Sequence, residues 1–338
     1  MVGGAAFLLI TSGVFWSQFA GLDGDAVTPR WGDLRWSYLA PLLLCMPIET
    51  LACGLRIRVI ARVLERDVPL STCIRAEWAQ VAVSTLTPTQ SGGGPGQIYI
   101  MHRAGTSIGT AVTVMLLSCL GTMVALLGLG LYALLLDASH EADRVLRAAL
   151  WTTTGLSAVM VALAVPWRGC GQRISVPERV APLARHLASL LDAYRRDTAL
   201  FVRTGKGAFA LVCALSLAFI LSRALIAYLV VRFLGLEGST FRHILDAQIV
   251  VLLVEFVAPT PGGAGVVEGA SGAFMDAVVP PGHVPYYTLF WRSATLYVPA
   301  LAGFVCLACA LTRDARRVAG PPWSRRHPGK QIGERSSP

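Results

Sequence analysis

The 338-residue chain is 54% hydrophobic and only 14% charged, whereas a soluble domain carries about 25% charged residues. This composition excludes an ordinary soluble domain, because the apolar residues gather in blocks long enough to cross about 30 Å of hydrocarbon. The net charge of +9 is typical of basic loops that stay in the cytoplasm. The sequence has no aromatic and basic surface module of the kind that binds nucleic acid, so we expect no nucleic-acid partner.

Eight apolar blocks follow one another along the chain. They cover residues 2–20, 38–55, 76–100, 105–136, 148–166, 207–233, 242–279 and 285–311. The first block lacks a basic start and a cleavage site, so we interpret it as a retained span rather than a signal peptide.

The segments between the blocks predict the topology. Arg and Lys concentrate in residues 56–75, in residues 168–206 and after residue 313, and such segments stay in the cytoplasm. Residues 21–37 and 137–147 contain several acidic side chains, and we expect both loops to face outward.

We divide the chain into a transmembrane unit, residues 1–312, and a basic tail, residues 313–338. The tail is rich in Pro, Ser and Arg, and we expect it to be disordered in the cytoplasm. Within the unit, residues 177–203 place apolar side chains at three- and four-residue steps with basic residues between them. This pattern predicts an amphipathic helix on the cytoplasmic membrane surface. A cytoplasmic helix packed on the protein itself is the alternative.

Two apolar blocks contain clusters of Pro and Gly that interrupt a helix at membrane depth. The first reads P-T-Q-S-G-G-G-P-G-Q from Pro88 to Gln97, and the second reads P-T-P-G-G-A-G-V-V-E from Pro259 to Glu268. With one constant shift along the chain Pro88 aligns with Pro259, and Gln97 lies opposite Glu268. The similarity indicates an internal repeat, although two loops of Pro and Gly also resemble each other by chance.

Counting membrane crossings supports the repeat. An odd number of crossings must separate the inner loop 56–75 from the outer loop 137–147, so residues 76–100 are predicted to form a re-entrant hairpin. Residues 242–279 would form a second hairpin that enters from the outside, although three full spans in the second half also satisfy the count. We therefore expect an all-α polytopic membrane protein with about six full spans, two re-entrant helical hairpins and both termini in the cytoplasm. Its inverted-topology repeat would have halves at about 38–166 and 207–311.

The two interruptions are candidate ligand sites. Non-helical backbone inside hydrocarbon persists only where protein or a water-filled cavity surrounds it. A helix that restarts after such a break offers free N–H groups to an anion. We assign lipid- or ligand-binding roles to Pro88, Thr89, Gly92, Gly93, Gly94, Gln97, Arg103, Glu255, Pro259, Thr260, Gly262, Gly263, Gly265, Glu268 and Arg292. No catalytic pair, metal cluster or cofactor motif is found.

Several charged residues lie inside apolar blocks, where charge is costly and needs a partner or a cavity. Glu268 and Arg292 flank one connection and can pair with each other, either as part of a site or as a structural ion pair. Arg223 is also in an apolar stretch, whereas Glu49, Glu77 and Asp246 lie nearer to block ends and are weaker candidates.

Arg56 and Arg103 are cytoplasmic in this topology. We expect either side chain to meet lipid headgroups or to extend along the protein toward water.

The second motif with its next residue, P-T-P-G-G-A-G-V-V-E-G, resembles the signature of the lysylphosphatidylglycerol synthase transmembrane region, also called the flippase-like domain family. Arg292, Pro299 and Gly303 fit the family's pattern downstream. The first motif resembles the family's P-x-x-x-G-E, with Gln97 where the acid is expected. The resemblance covers about residues 5–311. It implies a bacterial inner-membrane protein that moves modified phospholipids or polyprenyl-linked lipids between leaflets.

The leading hypothesis is therefore flippase-like translocation of an anionic or modified phospholipid or of a polyprenyl-linked lipid, whose anionic headgroup enters between the hairpins. An ion-coupled transporter of a small solute is one alternative. A non-transporting accessory subunit, acting beside a separate membrane-associated transferase that handles lipid-linked sugars, is another. The family's best-known members carry a cytosolic aminoacyl-transferase domain after the membrane part, and we expect no such enzyme activity here.

Overall fold

The computed structural model of the chain describes residues 32–64, 67–87, 93–135, 181–275 and 278–319, with single residues and short runs within 9–16 and 147–162. Every regular element of this part is helical. The principal helices are α1 Leu39–Val63, α2 Leu70–Ser84, α3 Gly93–Arg103, α4 Ile108–Leu135, α5 Ala181–Thr204, α6 Lys206–Phe233, α7 Phe241–Val257, α8 Val266–Met275, α9 Val284–Arg292 and α10 Val298–Ala319. A π-helical turn, Ser293–Tyr297, joins α9 to α10 without a break.

Four helical stretches of the described part are long and apolar enough to cross a membrane. They are Trp36–Val63, Ile108–Tyr132, Lys206–Phe233 and Val284–Arg316. Each confirms one apolar block of the sequence. The blocks at 2–20 and 148–166 lie largely outside the described residues.

The block predicted at 76–100 is two short helices, α2 and α3, which we call the first helix pair. The pair packs closely because glycine faces the contact: a methyl group on Gly96 would meet the Ala79 carbonyl oxygen at 2.5 Å. A methyl group on Gly93 would meet Gln80 at 2.9 Å. Larger residues at these positions would force the two helices apart.

The block predicted at 242–279 is likewise two helices, α7 and α8, which we call the second helix pair. The turn between them contains a 3₁₀ segment, Pro261–Gly263. Gly262, Gly263 and Gly265 have φ angles of 59°, 72° and 80°. These left-handed conformations suit glycine and strain other residues, which explains why the turn is so rich in glycine.

The two helix pairs occupy matching places in the chain, because each follows a long helix and precedes another. The shift that aligns the two Pro and Gly motifs also carries Leu70, at the start of α2, onto Phe241, at the start of α7. The long helices before the two pairs end at Val63 and Phe233, which nearly coincide under the same shift. The helix boundaries therefore follow the alignment of the motifs.

Two predicted boundaries need correction. The apolar block 38–55 is predicted to end before Arg56, but α1 continues to Val63 and carries Arg56 into the packed helices, where it is 5% exposed. The cytoplasmic location of residues 56–75 stays a prediction. The tail was expected to be disordered from residue 313, but α10 continues to Ala319. Asp314 holds that extension against α3 by accepting hydrogen bonds from Tyr99 and Arg103. Residues 320–338 lie outside the described part.

The helix predicted at 177–203 is α5, which begins at Ala181 in the described residues. One of its faces packs on α4, and Tyr194 and Phe201 are buried. Most other described positions are exposed or half-exposed. α5 therefore contacts the protein along one face, and its location on the membrane surface stays a prediction.

Candidate functional site: a buried ionic cluster beside the second helix pair

Five charged side chains from five different helices meet inside the protein. We call them the ionic cluster: Glu49 of α1, Arg223 of α6, Glu255 of α7, Glu268 of α8 and Arg292 of α9. Their side chains are between 0% and 11% exposed. Because each helix contributes one of these charges, the cluster forms only when all five helices are assembled.

Arg223 joins α1 to α7. Its Nε donates to Glu49 Oε1 at 3.0 Å, and its Nη1 donates to Glu255 Oε2 at 2.8 Å. Its Nη2 donates to the Thr295 carbonyl oxygen at 3.2 Å. Each guanidinium nitrogen of Arg223 thus has a protein partner.

Arg292 is fully buried and equally well partnered. Its Nε donates to Glu268 Oε1 at 3.0 Å, and its Nη1 lies 3.5 Å from Glu255 Oε1. Its Nη2 donates to the Gly262 carbonyl oxygen at 2.7 Å. Because Glu255 contacts both arginines, the cluster is one continuous chain of ion pairs.

Glu268 connects the ionic cluster to the glycine-rich turn. Its Oε2 accepts a hydrogen bond from the Gly265 backbone N–H at 2.6 Å. Gly265 is the residue before α8, so the contact resembles half of a capping box, in which a third-position Glu accepts from the N-cap N–H. A carboxylate is thereby held at the positive end of α8, where an anion is stabilised.

A third buried arginine lies beside an aromatic ring that also contacts Arg223. Arg56 of α1 donates from Nη1 to Thr122 Oγ1 at 2.5 Å and to Ser216 Oγ at 3.3 Å. Its nearest carboxylate oxygen, Glu77 Oε2, is 4.0 Å from Nη2. The Phe219 ring lies 5.8 Å from the Arg56 guanidinium carbon and 4.8 Å from that of Arg223. Phe219 therefore contacts both guanidiniums, and the Arg56–Glu77 pair lies next to the ionic cluster.

At matching positions of the two helix pairs, one pair has a carboxylate side chain where the other has a carboxamide. Under the shift that aligns the Pro and Gly motifs, Glu77 of α2 matches Gln248 of α7, and Gln97 of α3 matches Glu268 of α8. All four side chains are at most 8% exposed. At these positions each pair places one carboxylate and one carboxamide in the interior, on opposite members of the pair, and α7 adds a second buried carboxylate, Glu255.

The structure brings together part of the predicted site. Glu255, Glu268, Arg292, Gly262 and Gly265 are in direct contact. Pro259, Thr260 and Gly263 belong to the same turn.

The predicted residues of the first motif are elsewhere. Gly93, Gly94 and Gln97 lie on α3, and Gln97 is fully buried. Arg103 is at the end of α3, where its Nε donates to Asp314 Oδ1 at 2.9 Å. Pro88, Thr89 and Gly92 lie outside the described residues, so the expectation that the two breaks face each other stays a prediction.

From the sequence alone Glu49 is only a weak candidate for a buried charge, and no partner is predicted for Arg223. A spacing signal was present: Glu49 and Arg56 are seven residues apart on α1, and Ser216 and Arg223 are seven apart on α6. Residues seven apart lie on one helix face. Polar residues at that spacing on two apolar helices indicate a shared interface.

Apolar spanning helices, interrupted helix pairs and a buried ionic cluster define an integral, multi-pass helical membrane protein. Within that class, the chain belongs to the lysylphosphatidylglycerol synthase TM region family, whose model matches residues 4–303. The match confirms the family resemblance that the second motif carries, and its range includes all five residues of the ionic cluster. The comparison with curated proteins finds no match for this chain.

Proposed function

We propose that the protein translocates a phospholipid or polyprenyl-linked lipid with an anionic headgroup between the leaflets of the bacterial inner membrane. The observation that carries the proposal is the ionic cluster at the glycine-rich break of the second helix pair. Charges inside a membrane protein are costly, and they commonly mark substrate or ion pathways. Membership in a family named for a lipid synthase's membrane region also favours a lipid ligand.

The lengths of the paired helices support re-entrant hairpins. α2 has 15 residues and α3 has 11, so at 1.5 Å per residue they are about 22 and 16 Å long. α7 and α8, with 17 and 10 residues, are about 25 and 15 Å long. All are shorter than the ~30 Å hydrocarbon core. We infer two hairpins that enter from opposite faces, about six full spans, and cytoplasmic termini.

The geometry suggests how an anion is received. Glu268 holds both Arg292 and the Gly265 N–H, which are the two donors that a phosphate group would use at a helix N-terminus. In our proposal the headgroup phosphate replaces the Glu268 carboxylate on these donors, while the acyl chains stay in the bilayer. In the described conformation Glu268 thus occupies the Arg292 guanidinium, which becomes available to the phosphate when the Glu268 side chain turns away.

A liposome assay that follows fluorescent phospholipid between leaflets tests the proposal. We expect Arg292→Ala to slow lipid movement at least about tenfold, since it removes a charged hydrogen bond to the phosphate worth about 1.5–3 kcal/mol. We expect Glu268→Ala to slow it as well, because Arg292 and the Gly265 N–H lose the carboxylate that positions them. Arg242→Ala is the matched control, because this exposed residue begins the same helix pair but lies outside the cluster. Undiminished movement in both cluster variants would contradict the proposed site.

The ionic cluster also favours a second candidate, an ion-coupled transporter of a small solute, because buried carboxylates can carry protons. Solute uptake that depends on a proton gradient, without lipid movement, would support it. Inactivity of the purified wild-type protein, together with copurification of a membrane-associated transferase, would instead support an accessory role.

A further inference from the structure

Three of the long apolar helices carry an exposed basic side chain close to one of their ends. α1 has Arg62, α6 has Lys206 and α10 has Arg316, and all three residues are exposed. The Arg62 side chain is 58% exposed, and the nearby Asp67 carboxylate is 4.0 Å from its Nε. These positions therefore offer positive charge to the surroundings of the protein.

The three helix ends that carry these residues lie at the same end of the helix bundle. A methyl group on Gly205, the residue before α6, would lie 3.0 Å from Val63 Cγ1 at the end of α1. Leu64, directly after α1, and Ala310, in the second half of α10, belong to one buried apolar cluster. We call this end of the bundle the basic end.

The opposite end of the bundle carries arginines that are paired with acids. There the Arg35 backbone N–H donates to the Phe233 carbonyl oxygen at 2.9 Å, which joins the start of α1 to the end of α6. The Arg35 side chain pairs with Glu237. Arg242, near the start of α7, lies 4.0 Å from the Asp246 carboxylate. These two pairs leave no excess of positive charge, in contrast to the basic end.

Each of the three basic residues is aligned with an exposed apolar residue on the same helix, eleven positions away in the sequence. The apolar members are between 37% and 56% exposed. Eleven residues make close to three whole turns, so the two members of each pair lie on one helix face. We call the pairs the three stripes: Leu51 with Arg62 on α1, Leu217 with Lys206 on α6, and Val305 with Arg316 on α10.

The dimensions of the stripes fit one leaflet of a membrane. Eleven residues of α-helix rise about 16 Å, and half of the hydrocarbon core is about 15 Å thick. A stripe therefore has about the length of an acyl chain, with its basic residue at the depth of the headgroup. An acidic protein would need only the positive charge, whereas an anionic phospholipid uses both the charge and the apolar surface below it. The stripes thus favour a phospholipid as the partner.

The stripe on α1 contains a second guanidinium. Arg58 lies one turn before Arg62, on the same helix face, and is half-exposed. Its Nε has no hydrogen-bond partner among the described residues. Phosphate groups offer several acceptor oxygens and form strong hydrogen bonds with arginine. We therefore expect the α1 stripe to bind an anionic headgroup more tightly than the other two stripes.

We propose that the three stripes bind anionic phospholipids of one leaflet, each with the lipid phosphate on the basic residue and an acyl chain along the apolar residue. These sites lie on the outside of the spanning helices. They are separate from the ionic cluster, whose side chains are in the interior. The inference is independent of translocation, because a lipid bound at a stripe stays in its own leaflet.

Native mass spectrometry of the full-length protein in detergent tests the proposal by counting bound lipids. With phosphatidylglycerol as the probe we expect about three tightly bound lipids in the wild type, as the three stripes provide. At a lipid concentration that just saturates the wild type, Lys206→Gln/Arg316→Gln should retain about one. Each lost charge near the headgroup should weaken binding about fivefold. The zwitterionic phosphatidylcholine should bind more weakly than phosphatidylglycerol to the wild type.

Arg35→Gln/Arg242→Gln is the matched control. It makes the same change in net charge at two partly exposed arginines of the opposite end, and it should retain all of the bound phosphatidylglycerol. Equal losses in the two double variants would show that binding follows net charge alone and would overturn the proposal. Equal binding of phosphatidylcholine and phosphatidylglycerol to the wild type would overturn it too.

The apolar part of the stripes is tested with glycerophosphoglycerol, which is the same headgroup without acyl chains. It should not displace the bound phospholipid at equal concentration. Leu217→Asn/Val305→Asn should weaken phospholipid binding, because each substitution removes apolar contact with an acyl chain. Displacement by the headgroup alone would show simple anion sites instead of lipid sites. Copurification of an acidic protein that phosphatidylglycerol does not displace would assign the basic end to a protein partner, and either result would refute the proposal.

Discussion

Replacing Arg223 with methionine tests the energetics of the ionic cluster most severely. The variant keeps much of the side-chain volume but removes three hydrogen bonds and leaves Glu49 and Glu255 as neighbouring buried carboxylates. Removing one partner from a buried ion pair costs about 3–5 kcal/mol. At about 2 °C per kcal/mol for a large chain, the midpoint of thermal unfolding should fall by at least about 5 °C.

The assay is thermal or denaturant unfolding in detergent, with a double-mutant cycle. Glu49→Gln in the Arg223→Met background removes one of the stranded charges and should recover at least about 1 kcal/mol of the loss. Arg242→Met, at a residue whose side chain is 58% exposed, is the control and should change the midpoint little. A cost below about 1 kcal/mol for Arg223→Met, or no recovery in the double variant, would show that the cluster is not a buried chain of ion pairs.

Three further substitutions test the packing around the site. Gly262→Ala should lose about 1–2 kcal/mol of unfolding free energy, because Gly262 has a φ of 59° in the left-handed region; an unchanged unfolding midpoint would contradict this. Gly303→Ala should lose about 1–3 kcal/mol, because a methyl group there would collide with the Trp78 backbone carbonyl on α2, and the same unfolding assay measures it. Arg103→Ala should cost less than about 1 kcal/mol, because Asp314 is 36% exposed; a larger loss would show that this pair is stronger than surface ion pairs usually are.

The sequence predicts the helical elements well because their causes are local. An uninterrupted apolar run such as residues 105–136 specifies a spanning helix by length alone, and α4 occupies 108–135. Pro259 and the glycines after it specify a helix break wherever they occur. The pairing of Glu268 with Arg292 is also predictable, since both lie in one short stretch of chain, and the two side chains bond at 3.0 Å.

The sequence predicts the rest of the ionic cluster poorly because its causes are tertiary. Glu49 and Arg223 are 174 residues apart and meet only when α1 packs on α6. Arg56, which lies outside the cluster, is likewise predicted as a loop residue, because charge bias treats every arginine near a block end in this way. In the fold, Thr122, Ser216 and Glu77 surround it, so that its charge is accommodated inside.

The double linkage between α1 and α6 limits how the molecule can move. Arg223 bonds Glu49 at one level, and Arg56 bonds Ser216 seven residues later on α1 and seven residues earlier on α6, a separation of about 10 Å. Because sliding of α1 along α6 would break both of these links at once, the two helices resist that movement. Any rearrangement that keeps both links must therefore leave α1 and α6 in place along their axes and move other helices.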